Sequence, residues 1–461
     1  MLQDVEPPVV VVSNRGPLSF TVSDGGGLEA RRGAGGLVSS LGPLVRGTGA
    51  TWMAAAISDG DRQAAAGGLV EAEGFRFRSL AIDPVLYKMA YDVISNGTLW
   101  FLHHGLFDLP RRPRIDRRWR EAWAAYRQVN LVFSRALIDE APEGATVLVQ
   151  DYHLALVGTW LAQQRRDLRA VHFTHIPFCG PDALRILPTT AAEELLVGMA
   201  SHTSCGFHAQ RWADNFALCC REVLGLDPST FVSPLAPDHV DIASVAESAA
   251  CADEAAWLDE QIGERQLILR VDRIELSKNL LRGFQAFDDL LRTRPEWRGQ
   301  VVFGALVYPS REGLVEYLAY RQEVEGVARL INERWGTADW TPILLDTSDN
   351  FARSVAALKR YDVLLVNPIR DGLNLVAKEG PILNTNDGVL ALSREAGAWE
   401  ELEAYALEVN PFDVAGTADV LATALTMPAA ERAERAAALR KLVESRSPRD
   451  WFDEQLAAAR A

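Results

Sequence analysis

Two carboxylates eight residues apart, Asp371 and Glu379, lie in the segment whose residue types best suit sugar and nucleotide binding. The segment 370–379 reads RDGLNLVAKE and follows the apolar run 362–366. A buried strand leading through a Gly/Asn turn into a helix places backbone N–H groups at a sheet edge that binds nucleotides and phosphates. We expect Asp371, in the turn, to hold sugar hydroxyl groups and Glu379, about two turns into the helix, to hold a ribose. A capped helix start with a solvated acid is the alternative.

A basic pair, Arg273 and Lys278, follows the apolar run 267–271. We expect both residues in the loop after that strand. Two cations five residues apart at a strand's carboxyl end are suited to clamp a diphosphate and to stabilise the charge of a departing one. A solvated basic pair is the alternative.

Phosphate contacts are also predicted near the beginning of the chain. Arg15 stands in the turn SNRGP after the strand candidate 8–12, and a guanidinium can grip a phosphate with two parallel hydrogen bonds. Gly35 and Gly36 open an apolar helical stretch, where glycine lets backbone N–H groups approach a phosphate. A surface arginine and an ordinary glycine turn are the alternatives.

Two further polar residues follow strand candidates. Asp151 comes after 146–150, and His175 comes after 170–173. An aspartate at a strand's carboxyl end can accept hydrogen bonds from sugar hydroxyl groups, and a histidine there can donate to one or present its backbone carbonyl. For His175, a satisfied core histidine is the alternative.

These positions require a particular scaffold. Seven short apolar runs are predicted to be strands: 8–12, 146–150, 170–173, 267–271, 301–306, 362–366 and 389–392. Amphipathic stretches such as 117–140 and 314–335 lie between them, and strand–helix alternation predicts parallel sheets with helices on both faces. The runs form two groups, with 227–260 read as a crossing segment plus a helix. We therefore expect two doubly wound α/β domains facing each other across a cleft, with domains at 1–238 and 239–440. A C-terminal helix at 441–461 is expected to pack back on the first domain.

Composition narrows the class of protein. With 461 residues and a net charge of −15, the chain is not expected to bind nucleic acid. It shows neither a membrane-spanning apolar run nor a signal-peptide pattern, so a cytoplasmic protein without membrane association is predicted. Five cysteines, an odd number without metal-ligand spacing, predict reduced buried thiols. The Asp59-Gly60-Asp61 sequence is expected to be a surface turn rather than a metal site. The sequence is compatible with a homo-oligomer and does not predict an oligomeric state.

The segments described above resemble the trehalose-6-phosphate synthase family of retaining nucleotide-sugar glycosyltransferases, from about residue 9 to about residue 450. The motifs Ser-Asn-Arg, Gly-Gly-Leu, Ser-Asn-x-x-Leu-Trp, Asp-Tyr-His-Leu, His-Ile-Pro-Phe, Arg-x-x-x-x-Lys and Arg-Asp-Gly-Leu-Asn-Leu-Val-Ala-Lys-Glu occur in the family's order. The resemblance implies a GT-B fold of two Rossmann-like domains. It also implies transfer of glucose from UDP- or GDP-glucose to glucose 6-phosphate, giving α,α-trehalose 6-phosphate, with no cofactor or metal.

The resemblance assigns a role to each matching residue. The acceptor's phosphate is assigned to Arg15, Tyr91, Trp100 and Arg311, and the acceptor sugar to Asp151. The catalytic residues are His175, Arg273, Lys278 and Asp371, with His175 next to the transferred glucose. The other donor contacts are Gly35, Gly36, Gly372, Leu373, Asn374, Leu375, Val376 and Glu379.

The implied chemistry needs no carboxylate nucleophile. In a front-face route the acceptor attacks from the side of the leaving group, and the departing phosphate takes its proton. Asp151 and Asp371 could be misread as the paired acids of a hydrolase, but the basic pair favours a diphosphate leaving group.

The chain departs from the family's pattern at 101–107, 272–277 and 380–384. Three alternatives are open: the departures raise the first two, and the third follows because a fold does not determine a function. One is another phosphorylated acceptor such as glycerol 3-phosphate. The second is a pseudo-glycosyltransferase that joins cyclitols, and the third is a catalytically silent sugar-phosphate-binding protein.

Overall fold

The computed structural model describes residues 7–22, 27–33, 36–311 and 313–461. The chain forms two compact units: unit 1 is Met1–Pro234 with Pro448–Ala461, and unit 2 is Leu235–Ser447. The sequence places the corresponding boundaries after residues 238 and 440. Among the described residues, no helix is both long and apolar enough to span a bilayer.

Unit 1 is built on an eight-stranded sheet and a separate two-stranded hairpin. Its strands are β1 (Val9–Ser13), β2 (Leu18–Val22), β3 (Leu28–Arg32), β4 (Thr51–Ala55), β5 (Leu69–Ala72), β6 (Phe75–Leu80), β7 (Thr146–Gln150), β8 (Arg169–Thr174), β9 (Ser204–Phe207) and β10 (Thr230–Val232). The large sheet has the order β10-β9-β8-β7-β1-β4-β6-β5, and β2 pairs with β3. Every pairing in the large sheet is parallel except that of the edge strand β5. Parallel pairing brings the carboxyl ends of β1, β7 and β8 to one edge.

Helices follow the strands of unit 1, as parallel connections require. They are α1 (Gly36–Val45), α2 (Asp59–Ala66), α3 (Pro84–Lys88), α4 (Trp100–His104), α5 (Arg117–Glu140), α6 (Val157–Gln164), α7 (Pro181–Leu184), α8 (Thr189–Ala200) and α9 (Gln210–Leu224). A π-helix, Met89–Leu99, joins α3 to α4.

Unit 2 contains a six-stranded, fully parallel sheet of order β13-β12-β11-β14-β15-β16. Its elements are α10 (His239–Ala246), α11 (Ala249–Ile262), β11 (Gln266–Ile274), α12 (Leu280–Thr293), β12 (Val301–Pro309), α13 (Val315–Trp335), β13 (Ile343–Asp346), α14 (Phe351–Arg360), β14 (Val363–Val366), α15 (Val376–Leu383), β15 (Val389–Ser393), α16 (Trp399–Leu402), β16 (Leu407–Val409), α17 (Val414–Thr426) and α18 (Ala429–Glu444). The last helix, α19 (Pro448–Arg460), belongs to unit 1.

The predicted α/β class is confirmed, and so are all seven predicted strands, with ends that differ by no more than three residues. The strands β7, β14 and β15 are buried along their whole length, as expected for a sheet with helices on both faces. The predicted helix 117–140 matches α5, whose first turn is capped by Asp116 accepting from the backbone N–H of Trp119.

Several local predictions are wrong. Arg273 lies within β11 rather than in the loop after it, because β12 runs alongside and pairs Tyr308 with Arg273. Glu379 lies in the first turn of α15 rather than two turns in, because the helix begins only at Val376. The segment 227–260 contains β10, all of α10 and most of α11, which is more than a crossing segment plus one helix.

The predicted surface turn at Asp59–Asp61 is also wrong. Asp61 is buried in the first turn of α2, and its carboxylate accepts from the backbone N–H groups of Phe20 and Ser58, each at 2.8 Å. Ser58 completes a reciprocal capping box with Asp61. All five cysteines are buried, and none of them forms a disulfide.

Candidate functional site

The end of β1 fixes a short polar turn in unit 1. The Ser13 hydroxyl donates to the Arg15 carbonyl at 2.6 Å and accepts from the indole N–H of Trp52 at 2.8 Å. The hydroxyl of Tyr87 donates to Asn14 Oδ1 at 3.1 Å. The backbone of this turn is therefore held rigidly, while the Arg15 side chain is exposed. Of the two predicted glycines, Gly36 begins α1, and Gly35 lies outside the described residues.

Stacked aromatic rings connect Tyr91 to the turn after β7. The Tyr91 ring stacks on Tyr87 at 5.6 Å and on His153 at 5.7 Å between centroids. Tyr152, the neighbour of His153, packs against Trp100 at 6.1 Å. The sequence-predicted residues Tyr91 and Trp100, which lie on different helical elements, are thus brought to the turn that follows Asp151.

Asp151 itself has an uncommon backbone conformation. Its φ is 73°, in a region that residues other than glycine rarely adopt. The conformation is held by the Asp151 N–H donating to the Phe173 carbonyl at 2.7 Å, and by the carboxylate accepting from the His175 N–H at 3.2 Å. Strained residues of this kind are concentrated at functional sites. The structure therefore brings Asp151 and His175 together at the ends of neighbouring strands β7 and β8.

The His175 ring is fixed through both of its nitrogens. Nε2 lies 3.0 Å from Gln150 Oε1, and Nδ1 lies 3.1 Å from His208 Nε2. The Gln150 amide donates to Gln455 Oε1 at 3.0 Å, and Gln455 donates to the Trp451 carbonyl at 3.4 Å.

The direction of this chain of hydrogen bonds fixes the His175 tautomer. Because a carbonyl can only accept, the Trp451 carbonyl sets the orientation of both amides and places a proton on His175 Nε2. Burial lowers the pKa of His175 to about 4, so the ring is neutral and Nδ1 accepts from His208. Sequence reasoning missed Gln150, His208 and Gln455, and Gln455 carries no local signal because it lies 305 residues after Gln150.

In unit 2 the predicted sugar-binding turn is built around Asp371. Lys278 Nζ lies 2.6 Å from Asp371 Oδ2, and the Asn374 amide donates to the same oxygen at 3.1 Å. Asn374 has a φ of 88°, and its own Oδ1 accepts from the Ala377 N–H. A Cβ on Gly397 would lie 1.9 Å from the Gly372 carbonyl oxygen. The turn that contains Gly397, after β15, therefore packs directly on the backbone of the turn that contains Gly372.

The helix α15 begins immediately after that turn. The backbone N–H groups of Lys378 and Glu379 turn back to the Leu375 carbonyl. The N-terminus of this eight-residue helix and the positive end of its dipole point toward the segment 371–375. Burial raises the pKa of the Glu379 carboxyl to about 7.

A group of paired charges lies at the carboxyl end of β11. Arg270 is fully buried and contacts Asp272 at 3.0 Å. Lys278 lies 3.9 Å from Asp272. Burial opposes the charge on Lys278, but the carboxylates of Asp371 and Asp272 prevail and raise its pKa. The predicted residues Arg273, Lys278 and Asp371 are therefore brought together although 98 positions separate the first from the last.

Arg273 and Arg311 share one carboxylate. Glu275 Oε1 lies 3.1 Å from Arg273 Nη1 and 3.4 Å from Arg311 Nη1. Arg311 Nη1 also donates to the Tyr317 hydroxyl at 2.7 Å. Sequence reasoning assigned no role to Glu275, because the contact with Arg311 depends on the folded chain. Among the described residues, no cluster of three or more metal-ligating side chains is present.

Comparison with known proteins gives a consistent result. The model of the family described as Glycosyltransferase family 20 matches residues 7–461. A bifunctional trehalose-6-phosphate synthase/phosphatase of Thermoproteus tenax is 31% identical over 96% of this chain, which spans 62% of that relative's length. A trehalose-6-phosphate synthase of Mycolicibacterium smegmatis is 30% identical, with 96% of this chain and 90% of the relative covered.

Solved structures agree over nearly the whole chain. One is the UDP-forming α,α-trehalose-phosphate synthase of Burkholderia xenovorans in complex with glucose-6-phosphate, with 28% identity, a TM-score of 0.84 and coverage of 98% of this chain and 100% of the other. Another is the protein described as trehalose-6-phosphate from E. coli bound with UDP-2-fluoro glucose, with 27% identity, a TM-score of 0.86 and 98% coverage of both chains. The predicted GT-B fold class, with two Rossmann-like units, is confirmed by these structures.

Proposed function

Because the chain belongs to glycosyltransferase family 20, we propose that it transfers glucose from a nucleotide-glucose to glucose 6-phosphate and produces α,α-trehalose 6-phosphate. UDP-glucose is the favoured donor, since relatives are described as UDP-forming or are bound to a UDP-sugar. The observation that carries the proposal is the cluster of Arg273, Lys278 and Asp371 at the carboxyl edge of the unit 2 sheet.

The donor is assigned to unit 2, with Gly35 and Gly36 of unit 1 near its diphosphate. Asp371 and the backbone of 372–375 hold the glucose hydroxyl groups, and Val376 lies at the diphosphate end. Glu379 binds the ribose. Arg273 and Lys278 bind the diphosphate and stabilise the negative charge that grows on it as the bond to glucose breaks.

The acceptor is assigned mainly to unit 1. Arg15, Tyr91, Trp100 and, from unit 2, Arg311 hold its phosphate. Asp151 accepts hydrogen bonds from its sugar hydroxyl groups, and His175 lies beside the transferred glucose. The neutral state of His175 supports a positioning or hydrogen-bonding role rather than proton donation near pH 7.

The reaction is assigned a front-face course with retention. The bond between glucose C1 and the phosphate oxygen breaks, and the acceptor's C1 hydroxyl oxygen bonds to glucose C1 from the same face. The acceptor's proton passes to the departing phosphate oxygen, so no enzyme base or metal is required. Cysteines that form no disulfide support a reducing compartment, the cytoplasm, as the place of this reaction.

A donor-by-acceptor screen tests the proposal. UDP-glucose and GDP-glucose are incubated with glucose 6-phosphate, glucose and glycerol 3-phosphate, and the products are identified by mass and by the anomeric proton signals. We expect an α,α-linked trehalose 6-phosphate, formed both with and without EDTA. Lys278→Ala should be inactive, and the exposed Lys441→Ala should match wild type.

The contrary outcomes are distinct. Absence of nucleotide release with every pair contradicts the transferase function. A product with another acceptor contradicts the assignment of glucose 6-phosphate. A β-linked product contradicts the front-face course, and loss of activity in EDTA that magnesium restores contradicts a metal-free mechanism.

A further inference from the structure

Glu275 is a completely buried carboxylate that directly follows β11. One hydrogen bond and two ion pairs involve the same oxygen: Oε1 accepts from the Ser310 hydroxyl at 2.8 Å and lies close to both Arg273 and Arg311. The other oxygen, Oε2, is buried and has no hydrogen-bond partner among the described residues. A carboxylate so placed is not an ordinary surface ion-pair partner.

The charge on Glu275 is kept by its two arginines. Burial alone would protonate the group, but Arg273 and then Arg311 prevail and lower the pKa of Glu275. In turn Glu275 raises the pKa of Arg273, while the like charge of Arg311 acts against it. The negative charge of Glu275 therefore offsets the repulsion between the two guanidinium groups.

The two arginines are held to different degrees. Arg273 exposes 41% of its side chain, whereas Arg311 exposes 14% and is additionally held by the Tyr317 hydroxyl. A guanidinium has five N–H donors, so a contact with Glu275 leaves donors for a phosphate. Arg311 also has a φ of 47°, a conformation that requires support from its surroundings.

We propose that Glu275 is a positioning residue that orients two anion-binding arginines at once, Arg273 toward the donor diphosphate and Arg311 toward the acceptor phosphate. This inference rests on the proposed function and deepens it. One carboxylate then sets both the rate of donor activation and the preference for a phosphorylated acceptor. A residue with a purely structural role would affect stability without changing that preference.

The test measures two quantities for each variant. The first is the ratio of kcat/KM for glucose 6-phosphate to that for glucose, which reports on Arg311. The second is the rate of donor hydrolysis without an acceptor, which reports on Arg273. We expect Glu275→Gln to reduce each quantity at least tenfold, because an amide cannot neutralise two guanidinium groups. Glu275→Asp keeps the charge and should recover most of both.

Double-mutant cycles identify the route of the effect. In an Arg311→Ala background, Glu275→Gln should change the acceptor ratio by less than twofold. Tyr317→Phe, which removes only the second support of Arg311, should lower the acceptor ratio and leave donor hydrolysis unchanged. The matched control is Glu323→Gln on α13, an exposed position, which should leave both quantities unchanged.

The outcomes distinguish a failure of the proposed function from a failure of the positioning role of Glu275. A wild-type protein that shows neither transfer nor donor hydrolysis contradicts the proposed function. A wild-type protein that shows both, with Glu275→Gln preserving the acceptor ratio and the hydrolysis rate, overturns the positioning role. If Glu275→Gln fails to fold, Tyr317→Phe decides: an unchanged acceptor ratio in that variant overturns the role.

Discussion

The two units hold their candidate residues by different physical means. In unit 1, side-chain hydrogen bonds fix the position of His175, and stacked rings fix that of Tyr91. In unit 2, ion pairs join Lys278 to Asp371, and Glu275 to Arg273 and Arg311. Hydrogen bonding and ring stacking thus position the residues named in unit 1, whereas electrostatic attraction positions those named in unit 2.

The buried ionisable groups considered in the two units differ in whether a neighbouring opposite charge overcomes burial. In unit 1, burial lowers the pKa values of His172, His175 and His202, so these rings stay neutral. In unit 2, opposite charges overcome burial at Lys278 and Glu275 and keep both groups ionised. On the proposed assignment of the donor diphosphate to Arg273 and Lys278, the charge that stabilises its departure is supplied by unit 2.

The largest effect should come from removing a cation of unit 2. We expect Arg273→Ala to lower kcat/KM for the nucleotide-glucose by about 2–4 kcal/mol of transition-state stabilisation, as for a preorganised donor. Arg292→Ala, on the exposed surface of α12, is the matched control and should be silent. Turnover of Arg273→Ala within threefold of wild type would contradict the assigned role and the contrast between the units.

Removing Arg15, the exposed cation among the candidate site residues of unit 1, should affect only the phosphorylated acceptor. A hydrogen bond to a charged group contributes about 1.5–3 kcal/mol. With glucose 6-phosphate as acceptor, Arg15→Ala should therefore lower kcat/KM by a factor that corresponds to that loss of transition-state stabilisation. The value for unphosphorylated glucose, far lower in wild type, should change less than twofold. Arg118→Ala, exposed on α5, serves as control. Equal losses with both sugars would show that Arg15 does not act on the phosphate.

Apolar periodicity and helix caps predicted those elements whose signal lies within their own sequence. The helix 117–140 was predictable because its apolar spacing is regular and Asp116 caps it. The strand β6 was not predicted, because its arginines alternate with buried residues in a short run next to the sheet's edge. The end of β11 was misplaced because its last residues are polar and depend on pairing with β12.

The candidate site shows the same limit. Arg273, Lys278 and Asp371 stand at strand ends, so strand prediction together with family resemblance was enough to bring them together. The contacts that orient the candidate residue His175 could not be predicted, because Gln455 on the distant helix α19 acts on His175 through the amide of Gln150. Glu275 stands two residues after Arg273, but its contact with Arg311 could not be predicted, because Arg311 lies 36 positions later in the sequence.

The smallest effect should come from Glu379, a unit 2 carboxyl whose pKa is raised by burial alone. Burial raises the pKa of Glu379 to about 7, so the free protein holds a proton there at pH 6 and has lost most of it at pH 8. Ribose hydroxyl groups donate hydrogen bonds, which favours the ionised carboxylate, and UDP binding should therefore release a proton below pH 7. The affinity for UDP should rise about tenfold from pH 6 to pH 8, about 1.4 kcal/mol, beyond any change seen in Glu379→Gln. Calorimetry in two buffers of different ionisation enthalpy measures the proton directly, and equal pH dependence in wild type and Glu379→Gln would remove Glu379 from the nucleotide site.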